Sequence, residues 1–268
     1  MNRVSRRHAA SVMVCFALVA AACGSSSKSS GSTPSTTSTP AKLSGSLDVF
    51  AAASLTEAFN DEKTALASSD PALSLTYNFA GSQALVTQIK NGAPADVFAS
   101  ADQKNMQKLI DAGLVEAPKT FARNKLEIAV APGNPKHITG LADLEKSGVI
   151  LVLEDPSVPA GNYARQAFTK AALPAPRPAS NELDVKSTLA KLTSGDADAV
   201  VVYVTDVKAA GSKVAGVQIP DSQNVIATYP IAAIKASKHL TAAEAFVDEV
   251  VSGSGQQALQ ARGFLAPN

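Results

Sequence analysis

LDVFAAASLTEAFNDEKTALA, residues 47–67, changes its hydrophobic period halfway along. LDVFAA is a short apolar run of strand type, whereas LTEAFNDEKTALA spaces its apolar residues three and four apart, as an amphipathic helix does. At the join, AAASL (51–55) places small residues and one hydroxyl where strand gives way to helix. A helix start has unpaired backbone N–H groups and the positive end of a macrodipole, so it attracts an anion without any cationic side chain.

The same kind of join recurs in FAGSQAL (79–85), SVPAGNYA (157–164) and NELDVKS (181–187), and a strand-like segment, AVVVYVTD (199–206), carries Tyr203. Further apolar runs (LSLTYNF, ADVFAS, KLEIAVA, VILVLE, NVIATYPIAAI) alternate with amphipathic stretches (QALVTQIKNG, DQKNMQKLIDAGL, NYARQAFTKAAL, VKSTLAKLTSG). The alternation predicts an α/β fold of βαβ units on mostly parallel sheets. Glycines in NG (91–92), AGL (112–114) and SG (194–195) mark helix C-termini. Open α/β sheets bind ligands beyond the carboxyl ends of their strands, where the next helices begin. The four joins occupy that position.

The N-terminus reads differently. Arg3, Arg6 and Arg7 precede an apolar run from Ala9 to Ala22 that is too short to span a bilayer and ends directly before Cys23. Residues 1–22 are therefore read as a lipoprotein signal peptide and Cys23 as the lipidated first residue of the mature chain. LVAAAC departs from the commonest lipoprotein box by having Ala20 in place of Leu, and cleavage at a neighbouring alanine would instead release the chain. Residues 23–45, rich in Ser, Thr, Pro and Gly, hold too little apolar surface to offset their ordering entropy and read as a disordered tether. The protein is expected outside the cytoplasm, anchored to the cell membrane by lipid.

Both cysteines, Cys15 and Cys23, precede the folded part, which removes disulfides, thiolate metal sites and cysteine nucleophiles from consideration there. Without residues 1–22 the chain keeps 21 basic against 23 acidic residues, a balance of −2 that makes nucleic acid a poor partner. Only His137 and His239 lie beyond the signal, neither beside a nucleophile elbow, which argues against a Ser-His-Asp hydrolase on a similar α/β scaffold. No HExxH, Walker loop or GxGxxG occurs. The chain is read as a non-enzyme without cofactor and without direct cation ligands.

In order along the chain, VFAAASL (49–55), FAGSQALVTQI (79–89), GAPADVFASAD (92–102), DPSVPAGNYARQA (155–167) and DADAVVVYVTDV (196–207) resemble the periplasmic molybdate-binding proteins of molybdate ABC importers, over essentially the whole folded region. The resemblance implies a type II periplasmic-binding-protein fold, two α/β lobes joined by a two-segment hinge. Residues 46–123 plus 226–268 would form the first lobe and 124–225 the second, with crossings near 122–125 and 218–225. It implies a monomer that holds molybdate or tungstate in the interlobe cleft and delivers it to permease subunits. The contacts it implies are the hydroxyl and N–H of Ser54 and of Ser82, the N–H of Ala160 and of Val185, and the hydroxyl of Tyr203.

The residues themselves leave other roles open. Ser54 and Ser82 could be helix N-caps, Ala160 and Val185 packing residues, and Tyr203 a core tyrosine. Thr56, Gln83 and Asn162 are expected to cap helices or support the site. A fully deprotonated tetrahedral dianion offers only acceptors, so a lining of donors suits molybdate, tungstate or sulfate better than a protonated phosphate. Asp184, next to Val185, is the discordant carboxylate unless it turns away to cap its helix. A receptor for another oxyanion such as sulfate, an extracytoplasmic hydrolase on a similar α/β scaffold, and a surface lipoprotein without a small ligand remain the alternatives.

Overall fold

The computed structural model describes residues 43–267. The signal segment, Cys23 and the tether up to Lys42 lie outside the described residues. Leu43 falls in the segment read as tether, yet its side chain is buried and its N–H donates to Asp70 Oδ1 at 2.7 Å.

The opening stretch folds as its period change requires. β1 (Gly45–Ala52) runs into a short 3-10 turn, Ala53–Leu55, and then α1 (Thr56–Ser69). Alternate β1 residues face opposite sides of the sheet. Val49 and Ala51 join the core under α1, while Phe50 joins a second cluster with Leu85, Phe98, Met106 and Leu109. That second cluster underlies α2 (Ser82–Lys90) and α3 (Gln103–Asp111), which follow β2 (Leu73–Ala80) and β3 (Val97–Ala99). Helices thus cover both faces of this part of the sheet.

β4 (Lys119–Val130) is long and changes partners along its length. The other elements are β5 (Leu151–Glu154), α4 (Pro159–Lys170), β6 (Ser180–Glu182), α5 (Val185–Ser194), β7 (Ala199–Tyr203), α6 (Val204–Ala210), β8 (Ala215–Gln218) and β9 (Ile226–Ala233), closed by α7 (Leu240–Ser252) and α8 (Ser254–Arg262). The sheet order is β2-β1-β3-β9-β4-β7-β5-β6, with β8 also on β4. The helix-linked strands pair in parallel, β1 with β2 and β3, and β5 with β6 and β7. β4 and β9 pair antiparallel to their neighbours: β4 lies on β9 over Lys119–Lys125, then on β7 and β8 over Leu126–Val130.

Val200, Val201 and Val202 are completely buried, as befits a strand covered on both faces. The strand expected through Asp206 ends at Tyr203 instead, and VTD begins α6: Asp206 caps that helix by accepting the Tyr203 N–H. Period-2 reading could not see this, because a capping carboxylate three residues on is a helix signal. Among the described residues no helix is long and apolar enough to cross a membrane.

Candidate functional site

Ser54, Ser82, Ala160, Val185 and Tyr203 line a single cavity of about 210 Å³, its mouth included. Ala52, Ala53, Ala80, Gly81, Ala101, Val158, Pro159 and Asp184 complete its wall. No lysine, arginine or histidine is among them. Small side chains at these positions let the ends of several helices approach one point, which larger residues would prevent.

Neither serine caps a helix. Ser82 is the first residue of α2, whose N-cap is Gly81, and its Oγ accepts the Ala101 N–H at 3.1 Å. With its acceptor side occupied from behind, the Ser82 hydroxyl proton is left to point elsewhere. Ser54 lies in the 3-10 turn before α1, with Oγ 3.0 Å from the Tyr229 hydroxyl. Both serines are buried, Ser54 at 4% and Ser82 at 1% exposure.

On the opposite side the helix starts are left open selectively. Asp184 caps α5, its Oδ1 accepting the N–H groups of Lys186 (2.8 Å) and Ser187 (2.9 Å), while its carbonyl takes that of Thr188. In the first turn only the Val185 N–H is left over. The carboxylate beside the cavity has therefore turned to its own helix, which balances its charge against the macrodipole. α4 begins with Pro159, which has no N–H to satisfy, and the Asn162 N–H returns to Val158. That leaves the N–H groups of Ala160 and Gly161 without helical partners. Gly161 is required by contact: a Cβ there would overlap the carbonyl oxygens of Glu154 and Asp155.

Tyr203 ends β7 at 1% exposure, and its hydroxyl has no hydrogen-bond partner, lying beside that of Tyr229 but outside bonding geometry. A buried hydroxyl without a partner is costly unless something completes it. Burial holds its pKa well above the ordinary tyrosine value, so it stays a donor.

Two contacts tie the sides together. Lys186 reaches Glu57 on α1 at 2.8 Å and the buried Asp206 at 3.4 Å. Gln83 Nε2 donates to the Leu183 carbonyl at 2.9 Å. Burial opposes the Lys186 charge, yet Asp206 and Glu57 hold its pKa above the ordinary lysine value. Burial pushes Asp206 up to about 6 against the pull of Lys186, and pushes Glu154, at the end of β5, up to about 8. At about 8 the Glu154 carboxyl stays largely protonated at neutral pH and adds little negative charge, whereas Asp206 at about 6 is largely ionised and answers the charge of Lys186.

Of the expected supporting residues, Thr56 Oγ1 donates to the Ala53 carbonyl and Gln83 makes the contact already described. His137 and His239 are exposed and are not among the residues of the cavity wall. Three positions escaped the sequence reading: Ala101 and Gly161, which act through main chain, and Tyr229, hidden within the apolar run NVIATYPIAAI. A polar-tipped aromatic in an otherwise aliphatic strand was the available signal for Tyr229.

The molybdate-binding protein ModA of Mycobacterium tuberculosis is 38% identical to the chain over 258 residues, covering 96% of each. Among solved structures, the periplasmic molybdate-binding protein of Azotobacter vinelandii superimposes with a TM-score of 0.73 at 21% identity, covering 83% of this chain and 100% of that one. The sulfate-binding protein SubI of Mycobacterium tuberculosis gives 0.69 at 20% identity, covering 82% and 86%. These two structural likenesses show the fold and leave the anion open. The model of the bacterial extracellular solute-binding protein family matches residues 47–265. With nearly the whole folded region matched, the chain belongs to that family of bacterial extracellular solute-binding proteins.

Proposed function

We propose that the protein is the extracytoplasmic substrate-binding component of an ABC importer, taking molybdate, and tungstate with it, and handing the anion to permease subunits. The observation that carries this reading is the convergence of two serines, two open helix starts and an unpartnered tyrosine hydroxyl on one cavity without a cation. The serine hydroxyls, the open N–H groups and the Tyr203 hydroxyl can all donate, the complement of an anion that only accepts. Seven such charge-assisted bonds at roughly 1.5–3 kcal/mol each amount to on the order of 10–20 kcal/mol before the costs of closure and dehydration. Micromolar to nanomolar binding, about −8 to −12 kcal/mol, fits within that range.

In this reading the protein works by binding, closing and releasing, with no bond made or broken. Residues 46–123 plus 226–268 move as one lobe and 124–225 as the other. The exchange of β4 partners at 125–126 and the segment between β8 and β9 are the places where such a motion would bend. The Glu57–Lys186 pair and the Gln83–Leu183 contact would form on closure. A lipid on Cys23 would hold the monomer near its permease.

Calorimetric titration of the purified protein with molybdate, tungstate, sulfate and phosphate tests the reading. Saturable binding of molybdate and tungstate, with phosphate far weaker, is the expected result. Sulfate binding tightest would reassign the anion, and no binding or thermal stabilisation by any of the four would overturn the receptor.

A further inference from the structure

Ser54 and Ser82 present the same problem and are solved differently. A serine hydroxyl has one proton and can donate to an anion only if that proton is not spent on a protein acceptor. For Ser82 the neighbour is the Ala101 N–H, which can only donate, so the hydroxyl proton is free. For Ser54 the neighbour is the Tyr229 hydroxyl at 3.0 Å, which could act in either sense.

Tyr229 is built into place. It is completely buried on β9, and its ring meets Phe121 at 6.1 Å, Phe264 at 5.5 Å and Tyr203 at 5.8 Å, each edge-on. Three edge-on aromatic neighbours leave the ring little freedom, so its hydroxyl can neither swing into the cavity nor leave Ser54. The Asn124 amide, which donates to Thr205 Oγ1 at 2.8 Å, also lies against this hydroxyl. Among the described residues Ser54 Oγ is the hydrogen-bond partner within reach of the phenol oxygen, and with the Asn124 amide beside it offering N–H rather than an acceptor, the phenol proton has Ser54 Oγ to go to.

We propose that Tyr229 is a positioning residue of the anion site: its O–H donates to Ser54 Oγ and so turns the Ser54 proton into the cavity. It would do for Ser54 what the Ala101 N–H does for Ser82. Donation in series also polarises the serine hydroxyl and strengthens it as a donor. The proposal rests on the anion-receptor reading above, yet it concerns a residue outside the cavity wall.

The test is a double-mutant cycle on the full protein, read by calorimetric titration with molybdate, with ligand-free melting to check folding. Tyr229→Phe keeps the ring and removes only the hydroxyl. It is expected to weaken binding about tenfold, the loss of one oriented charge-assisted bond. Ser54→Ala should cost about the same, and the pair no more than Ser54→Ala alone, because Tyr229 acts through that serine. Combined with Ser82→Ala, the Tyr229→Phe loss should instead add. A structural role would lower the melting temperature without coupling to Ser54. Unchanged affinity in Tyr229→Phe, or losses that add with Ser54→Ala, would overturn the role of Tyr229 while leaving the receptor intact. A wild-type protein that binds no oxyanion would overturn both.

Discussion

The two sides of the cavity use different chemistry for one purpose. The side formed by the ends of β1 and β2 offers hydroxyls, Ser54 and Ser82, each hydrogen-bonded from behind, to Tyr229 and to the Ala101 N–H. The side formed by the ends of β5, β6 and β7 offers the main-chain N–H of Ala160 and of Val185, with Tyr203 the single side-chain donor. The contrast bears on evolution and on experiment. A hydroxyl can be deleted by one substitution, whereas a main-chain donor survives most changes of side chain and is lost only when the backbone moves or proline removes the hydrogen.

The strongest challenge to the second side is Gly161→Ala. A Cβ there would overlap the carbonyls of Glu154 and Asp155, so the start of α4 must shift and carry the Ala160 N–H with it. Overpacking of this kind costs about 1–3 kcal/mol. Molybdate affinity should fall by up to about a hundredfold with no cavity-facing group deleted. An affinity within twofold of wild type would mean the start of α4 is not a contact.

Val185 offers the sharpest comparison between the sides. It is the first helical residue of α5, where proline is tolerated, and Asp184 before it is already extended at φ −163°. Val185→Pro should therefore remove one N–H while keeping the helix, and weaken binding roughly tenfold, as Ser82→Ala should. Val185→Ala should leave affinity nearly unchanged. Equal losses from both Val185 variants would show that the side chain matters there and erase the proposed difference between the sides.

Glu57→Gln breaks the ion pair that joins the sides. Both partners are about a third exposed, so the effect should be small, a loss of a few-fold that shrinks further as salt rises from 0.05 to about 0.5 M. A loss independent of salt would indicate that Glu57 acts through something other than charge.

The smallest effect on binding should come from Glu62, on the same helix but away from the cavity. Its carboxyl is completely buried, without a hydrogen-bond partner, and burial with nearby Glu249 pushes its pKa up to about 8 from an ordinary 4.5. The folded state then keeps a proton that the unfolded chain releases, so stability falls as pH rises between about 4.5 and 8. Glu62→Gln should flatten the decline of melting temperature over that window and leave anion affinity unchanged. A profile identical to wild type would show that Glu62 is not the titrating group.

Much of this arrangement was legible in the chain. The period change at AAASL and its recurrences mark where strands end and helices start, and the glycines at 92, 113 and 195 mark where helices stop, each with positive φ in the structure. Asp184 was legible as a discordant charge but not as a solved one, since its capping bonds depend on where its helix begins. The end of β7 at Tyr203 was misread because the valines before it hide the capping role of Asp206.

Local sequence, then, determined the α/β alternation, the small-residue joins and the kinds of donor each could supply, because hydrophobic period and backbone chemistry are properties of consecutive residues. Tertiary structure alone decided that joins more than a hundred residues apart meet at one cavity, that the Ala101 N–H backs Ser82 and that Tyr229 backs Ser54. It also decided that Lys186 reaches Glu57. The direction of a hydroxyl proton and the pairing of a buried charge depend on neighbours brought by strand order, and no reading of adjacent residues contains them.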